Sequence, residues 1–166
     1  NELIEKAAEN DEALMELFFE NDGLTEDEMR KGITAGVIVR GMFPVFCASA
    51  KHNMGVGRFM EFLTNVVPSA SELPPAITTE GKEVKCIQTG PTSVFVFKTS
   101  VESHIGEVNY FKVMSGEVKE GVDLTNNRTR NKERLSQIFA PMGKNREKVP
   151  SMAAGDIGCT VKLKNT

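Results

Sequence analysis

A short turn in the first half of the chain holds the residues with the clearest chemical potential. Ser49, Ala50 and Lys51 come at the end of an apolar run, residues 42–48, and precede an apolar helical stripe. Open α/β folds place ligand contacts at the carboxyl ends of buried strands. Backbone N–H groups in such a turn could donate to a carbonyl oxygen of a planar ligand. Three residues do not distinguish this from an ordinary connection between strand and helix, so both interpretations stay open.

The other reactive side chains are few and scattered. They are His52, His104, Cys47, Cys86 and Cys159. An odd number of distant cysteines argues against a disulfide framework and a zinc site, and is typical of the reducing cytoplasm. We expect His52 in a loop. His104 belongs to a predicted inter-strand loop, residues 100–106, where it either is solvated or faces RNA.

Several signature motifs are absent from the sequence. It contains no GxxxxGK[ST] phosphate-binding loop, no Asn-Lys-x-Asp motif for guanine, no GxSxG and no HExxH. We therefore predict no catalytic residue and no metal site in this chain. No apolar run approaches the roughly 20 residues that span a bilayer, so we expect no membrane contact. Because residue 1 is not Met, we also expect the chain to be a piece of a longer protein.

Charge is distributed unevenly along the chain. Residues 1–68 hold 6 basic and 12 acidic side chains, a balance of −6, whereas residues 69–166 hold 14 and 11, a balance of +3. This asymmetry predicts two modules in different surroundings. Residues 128–148 hold seven cations and two carboxylates. These cations are Arg128, Arg130, Lys132, Arg134, Lys144, Arg146 and Lys148. They predict either a solvated surface or a patch for phosphate groups.

The first half has the periodicity of helices. Apolar residues recur at helical spacing over residues 1–20, and Asn-Asp-Gly then ends this predicted helix. Thr25 and Glu28 form the pattern of a capping box, which begins a second helix that we expect to run to about Arg40.

A buried strand is predicted next. Residues 42–49 are almost continuously apolar, as in a strand covered on both faces, and residues 55–67 carry a third helical stripe. Because one strand cannot form a sheet, we expect its neighbours to lie outside this chain.

The second half changes to the period of strands. Residues 69–90 are rich in Pro, Gly and Ser and predict a linker, with a short strand possible within residues 77–87. Beyond it, β-branched and aromatic segments alternate with turn signals and predict a small antiparallel barrel. The predicted strands are residues 94–99, 108–114, 122–125, 134–139 and 157–163.

The strand segments resemble the second domain of elongation factor G. A Phe-Lys strand is followed by a loop, a glycine and an aromatic strand that ends in Ser-Gly. The segments that carry the resemblance are residues 94–98, 106–116, 131–135, 142–147 and 154–158. In the first half, residues 44–56 resemble the last strand and turn of the same family's GTPase domain, and residues 73–75 resemble its exit linker.

The resemblance implies a mixed α and β chain with two parts of a translational GTPase. Residues 1–68 would be the C-terminal segment of the α/β GTP-binding domain, residues 69–90 a linker, and residues 91–166 an antiparallel β-barrel of the translation-factor domain II type. The family's Ser-Ala-x turn contacts the guanine base, a role that falls here on Ser49, Ala50 and Lys51. GTP, and the Mg²⁺ that accompanies it, would need the parent's upstream segments, so the chain alone should not hydrolyse GTP.

The resemblance also implies partners and a location. The family's barrel lies against small-subunit ribosomal RNA in the cytoplasm, and no DNA partner is expected. The candidate RNA contacts are Arg128, Arg130, Lys132, Arg134 and His104. The parent would promote movement of tRNA and mRNA on the ribosome. The alternatives are a ribosome-recycling or ribosomal-protection GTPase of the same class, or a stand-alone RNA- or protein-binding barrel.

Overall fold

The computed structural model of the chain describes residues 2–166, and its contacts divide it into two units, Asn1–Leu73 and Pro74–Thr166. The first unit is helical and the second consists of antiparallel strands. The predicted mixture of α and β structure is thereby confirmed at this coarse level. The finer division at residues 68 and 90 stays a prediction.

Four helices lie among the described residues of the first unit. They are α1 (Glu2–Ala8), α2 (Glu12–Asn21), α3 (Glu26–Ile38) and α4 (Val56–Asn65). The prediction of one helix over residues 1–20 is wrong, because Asp11 begins a new one. The backbone of Asp11 is extended (φ −152°, ψ 125°), and its carboxylate accepts hydrogen bonds from the backbone N–H groups of Ala13 and Leu14. An Asp in this conformation is a strong helix N-cap.

The predicted start of the second helix is confirmed. Thr25 Oγ1 accepts from the backbone N–H of Glu28 at 3.4 Å, and the Glu28 carboxylate accepts from the backbone N–H of Thr25 at 2.8 Å. This reciprocal pair satisfies two N–H groups that the first turn leaves free. It sets the position of α3, whose Ile33 is buried with Ala7 of α1.

Residues 42–49 form no strand in the described part of the chain, so that prediction is wrong. The segment has no backbone ladder, and a single bridge between Ser49 and Met54 is its one β contact. Phe43 and Val45 are 77% and 90% exposed. A strand requires a hydrogen-bonded neighbour, and none of the described residues lies alongside.

Eleven strands follow among the described residues. They are β1 (Ala76–Ile77), β2 (Glu83–Val84), β3 (Ser93–Glu102), β4 (Gly106–Ser115), β5 (Glu117–Lys119), β6 (Val122–Thr125), β7 (Lys132–Leu135), β8 (Ile138–Met142), β9 (Asn145–Val149), β10 (Ser151–Ala153) and β11 (Ile157–Val161). The main sheet has the order β3-β4-β11-β8-β9, and three separate ladders pair β1 with β2, β5 with β10 and β6 with β7. No ladder between residues 2 and 166 joins β3 to β9, so the sheet is not closed by backbone hydrogen bonds.

The predicted strand over residues 134–139 is in fact two. Ser136 turns back on Arg134 (N–H to carbonyl, 3.0 Å), so β7 ends at Leu135 and β8 begins at Ile138 in another sheet. The strand β9 was not predicted because its sequence, Asn-Arg-Glu-Lys-Val, lacks the apolar alternation that marks a half-buried strand.

The core of the second unit combines side chains of the main sheet with side chains of the β5–β10 and β6–β7 ladders and of the residues after β11. Its buried side chains are Phe111, Val113, Val118, Leu135, Ile138, Met152 and Leu163. Gly158 lies against this cluster, where an added Cβ would come within 2.8 Å of Phe111 Cζ. The smallest residue is required there because β11 passes directly under the core side chains.

Candidate functional site

The structure brings Ser49, Ala50 and Lys51 together in one closed turn directly before α4. Ser49 and Met54 exchange two backbone hydrogen bonds, each 3.0 Å long, and the carbonyl of Ala50 accepts from Asn53 N–H at 3.3 Å. Asn53 has a left-handed backbone with φ 52°. Backbone of this kind favours Asn among the non-glycine residues, so the local sequence fits the turn.

The turn presents backbone donors to its surroundings. Among the hydrogen bonds of the described chain, none uses the N–H groups of Ala50 or Lys51, and both residues are exposed. Gly55 follows the turn and has a left-handed backbone with φ 74°. An added Cβ there would lie 2.9 Å from the carbonyl oxygen of Cys47. The arrangement therefore offers two adjacent N–H groups on a fixed backbone, which can donate to a carbonyl oxygen.

An apolar groove lies elsewhere in the same unit. It has a volume of about 650 Å³ and is lined by the segment from Met42 to Phe46. Phe62 lines it, and the rings of Phe62 and Phe46 meet edge to face with centroids 4.8 Å apart. The groove and the exposed Phe43 and Val45 leave this unit with a large uncovered apolar surface.

Four of the five predicted RNA contacts lie on one hairpin of the second unit. Lys132 and Arg134 occupy the exposed positions of β7, which alternate with buried Glu133 and Leu135. Arg128 and Arg130 lie in the exposed turn between β6 and β7. A strand places successive side chains on opposite faces, so the hairpin presents its cations outward and its buried residues inward.

Acidic residues partly compensate these cations. Arg134 lies 3.9 Å from the Asp123 carboxylate on the paired strand, and Arg130 lies 3.9 Å from Glu80. Both pairs are long and more than half exposed, so they contribute little and leave the cations available. Arg128 and Lys132 form no ion pair with any residue that the structure describes.

The seven cations of residues 128–148 do not form one patch, and that hypothesis is corrected here. Arg146 points inward with 15% of its side chain exposed and donates to the carboxylate of Glu102 and to Tyr110 Oη, the latter at 3.4 Å. These hydrogen bonds, with Tyr110 the larger contributor, raise the pKa of Arg146 further. Lys148 pairs with Glu120 at 2.7 Å. The sequence window missed these carboxylates because they lie outside it.

His104 occupies a different hairpin from the four cations. It lies exposed in the tight turn between β3 and β4, since β3 continues to Glu102 and the predicted loop is shorter than residues 100–106. Gly106 ends this turn with φ 85°. Within residues 2–166 no three His, Cys, Asp or Glu side chains are grouped to hold a metal ion, and no helix there is long and apolar enough to cross a membrane.

Comparison with known proteins agrees with the resemblance seen in the sequence. Residues 91–166 match the family model described as Elongation factor G domain 2. A crystal structure of a protein from Thermus thermophilus matches with a TM-score of 0.72 and 28% sequence identity, over 97% of this chain and 22% of that protein. The resemblance to elongation factor G is therefore confirmed for residues 91–166. The chain spans about a fifth of the length of the Thermus protein, and that similarity also includes the helical unit.

Proposed function

We propose that this chain is a piece of an elongation-factor-G-like translational GTPase that binds GTP and promotes movement of tRNA and mRNA on the ribosome. Residues 1–68 would be the C-terminal part of its GTP-binding domain, residues 69–90 a linker and residues 91–166 its second, barrel-type domain. The observation that carries the proposal is the match of residues 91–166 to elongation factor G domain 2. Such a protein works in the cytoplasm.

The exposed apolar surface of the helical unit supports the first assignment. Residues 42–48 have no regular secondary structure and no ladder, and they leave Phe43 and Val45 in solvent. An exposed apolar segment of this kind is stable when further elements of a larger fold cover it. The rest of an α/β nucleotide-binding domain would supply that cover.

The turn at residues 49–51 suits a guanine base contact. The N–H groups of Ala50 and Lys51 are unpaired among the described residues, and guanine offers a carbonyl oxygen to such donors. The phosphates and Mg²⁺ would be held by upstream segments of the parent, because the sequence here contains no phosphate-binding loop. Positioning of those groups is most of phosphoryl-transfer catalysis.

The cations of the β6–β7 hairpin suit ribosomal RNA. Arg128, Arg130, Lys132 and Arg134 project from one exposed hairpin and would contact phosphates of small-subunit RNA, with His104 as a separate contact. Contacts of this type require positioned cations and carry no sequence information. They weaken as salt is raised, because each neutralised phosphate releases counterions.

Substitution of Ala50 tests the nucleotide assignment. Ala50→Pro in the full-length protein removes one N–H donor, and that N–H forms no hydrogen bond among the described residues that the substitution would break. We expect GDP affinity to fall about tenfold, the effect of one hydrogen bond. Ala50→Ser keeps the N–H and should bind as wild type. Equal affinity of both variants would contradict the base contact.

The isolated 166-residue chain gives a second test. With a base contact but no phosphate site, it should show no GTP or GDP binding tighter than the millimolar range by calorimetry. Stoichiometric micromolar binding would contradict the assignment of residues 1–68 to part of a larger nucleotide-binding domain.

A further inference from the structure

Glu133 is a buried carboxylate within the cation-bearing hairpin. It is 7% exposed and lies on the inner face of β7, between the outward Lys132 and Arg134. It accepts hydrogen bonds from the backbone N–H groups of Lys164 and Asn165, the first at 3.2 Å, and from Thr166 Oγ1 at 3.2 Å. Three donors from the last residues of the sequence thus converge on a single charged acceptor.

Asn126 joins the same terminal residues to the hairpin turn. Its Oδ1 accepts from the backbone N–H groups of Arg128 at 2.9 Å and Thr129 at 3.1 Å, which shapes the turn. Its Nδ2 donates to the carbonyl of Asn165 at 3.1 Å and to Thr166 Oγ1 at 2.9 Å. One amide therefore bonds to the cationic turn on one side and to the terminal segment on the other.

The hairpin depends on such anchors. The β6–β7 ladder has four residue pairs and joins no other sheet within residues 2–166, and an isolated two-stranded hairpin is marginally stable in water. Leu135 anchors one end in the core at 3% exposure. At the other end Lys162 turns with φ 64°, buried Leu163 fixes the backbone, and residues 164–166 then lie against the hairpin.

We propose that Glu133 and Asn126 are positioning residues that clamp residues 164–166 to the inner face of the β6–β7 hairpin. The clamp holds the turn that presents Arg128 and Arg130, so the terminal segment and the cations keep a fixed relative position. The clamp itself is independent of the proposed function, and its effect on RNA binding rests on that function.

Amide hydrogen exchange of the 166-residue chain tests the clamp. Glu133→Gln should accelerate exchange at Lys164 and Asn165 at least about tenfold, because the amide is a weaker acceptor than the carboxylate and turns a donor toward these groups. Amides of β4 and β11 should keep wild-type rates. Glu147→Gln is the matched control. Glu147 is exposed on β9, and its carboxylate accepts no hydrogen bond from the described residues.

Asn126→Asp distinguishes the acceptor role of the Asn126 side chain from its donor role. The variant keeps an oxygen for the N–H groups of Arg128 and Thr129 but loses the donor to Asn165 and Thr166. We expect residues 165–166 to show lower backbone NMR order parameters, with Arg128 and Thr129 still protected. This variant decides the matter if Glu133→Gln does not fold.

Two results would overturn the clamp. One is wild-type exchange at Lys164 and Asn165 in Glu133→Gln. The other is equal acceleration of the β4 amides, which would make Glu133 a general contributor to stability.

Binding of the full-length protein to small ribosomal subunits tests the link to RNA. Glu133→Gln should bind them severalfold more weakly at an unchanged salt slope, because the cations remain but are less ordered. Unchanged binding would overturn the link to RNA. If replacement of the hairpin cations did not change ribosome binding, the proposed RNA contact would be contradicted. The clamp would still be supported by faster exchange at Lys164 and Asn165 in Glu133→Gln.

Discussion

Arg146 of β9 donates a hydrogen bond to the carboxylate of Glu102 on β3, although these strands form the two opposite edges of the five-stranded sheet. Four interstrand spacings in a flat sheet would separate the edges by roughly 19 Å. Two side chains do not span that distance. The sheet is therefore strongly coiled at this end, and an ion pair connects its edges where no backbone ladder of the described chain does.

Loss of this ion pair should destabilise the strand unit. Arg146→Met removes the donor for Glu102 and Tyr110 and should lower the free energy of unfolding by about 1.5–3 kcal/mol, toward the lower end because Glu102 is partly exposed. Urea unfolding monitored by the Tyr110 signal measures this. Arg128→Met, at an exposed position without an ion pair among the described residues, should change it by less than about 0.5 kcal/mol. Equal effects of the two variants would show that the ion pair contributes nothing.

The capping box of α3 makes helix stability depend on pH. Hydrogen bonds from Thr25, first its side chain and then its backbone, hold the pKa of Glu28 below its ordinary value of 4.5. A carboxylate with a lowered pKa stabilises the folded state above its unfolded pKa, and that contribution is lost as pH falls through the folded pKa. Glu28→Gln should therefore melt earlier than wild type at neutral pH, and the difference should vanish in acid.

Thermal melting of the helical circular dichroism signal checks the cap. Glu16→Gln is the control, because the Glu16 side chain forms no hydrogen bond or ion pair with the described residues. A Glu28→Gln difference that persisted unchanged below the lowered pKa would contradict the capping role.

Two of the three cysteines, Cys47 and Cys159, should differ in reactivity. Burial raises the pKa of the Cys159 thiol, which lies fully buried on β11, whereas Cys47 is exposed. Because the thiolate is the reactive form, iodoacetamide should modify Cys47 quickly in the folded protein and Cys159 only after unfolding. Mass spectrometry of the labelled peptides measures both rates. Loss of the fast phase in Cys159→Ser rather than in Cys47→Ser would contradict this order.

Motifs formed between residues close in sequence could be predicted, whereas side-chain partners far apart in sequence could not. The capping box at Thr25 and the turn at residues 49–51 depend on neighbours within a few positions, and the structure shows both. Both sequence interpretations of the cation-rich window, a solvated surface or a phosphate patch, leave Arg146 exposed, because its partner Glu102 lies 44 residues earlier. The inward position of that side chain follows from the coil of the sheet, which no local pattern specifies.

Strand pairing shows the same limit. The apolar run at residues 42–49 has the composition of a strand, but composition cannot supply a neighbour to pair with. The polar β9 has a neighbour in β8 and forms a strand despite its charged sequence. The clamp residues Glu133 and Asn126 were also missed, since their partners at residues 164–166 are more than 30 positions away.

Ribosome affinity as a function of salt tests the central claim most directly. In the full-length protein, Arg128, Arg130, Lys132 and Arg134 are replaced together by Gln, and binding to small ribosomal subunits is measured at several salt concentrations. A matched variant loses four cations of the helical unit instead: Lys6, Lys31, Arg40 and Arg58. The account predicts weaker binding and a shallower salt slope for the hairpin variant alone, because each lost phosphate contact reduces the slope by about 1. Wild-type affinity and slope in the hairpin variant would contradict it.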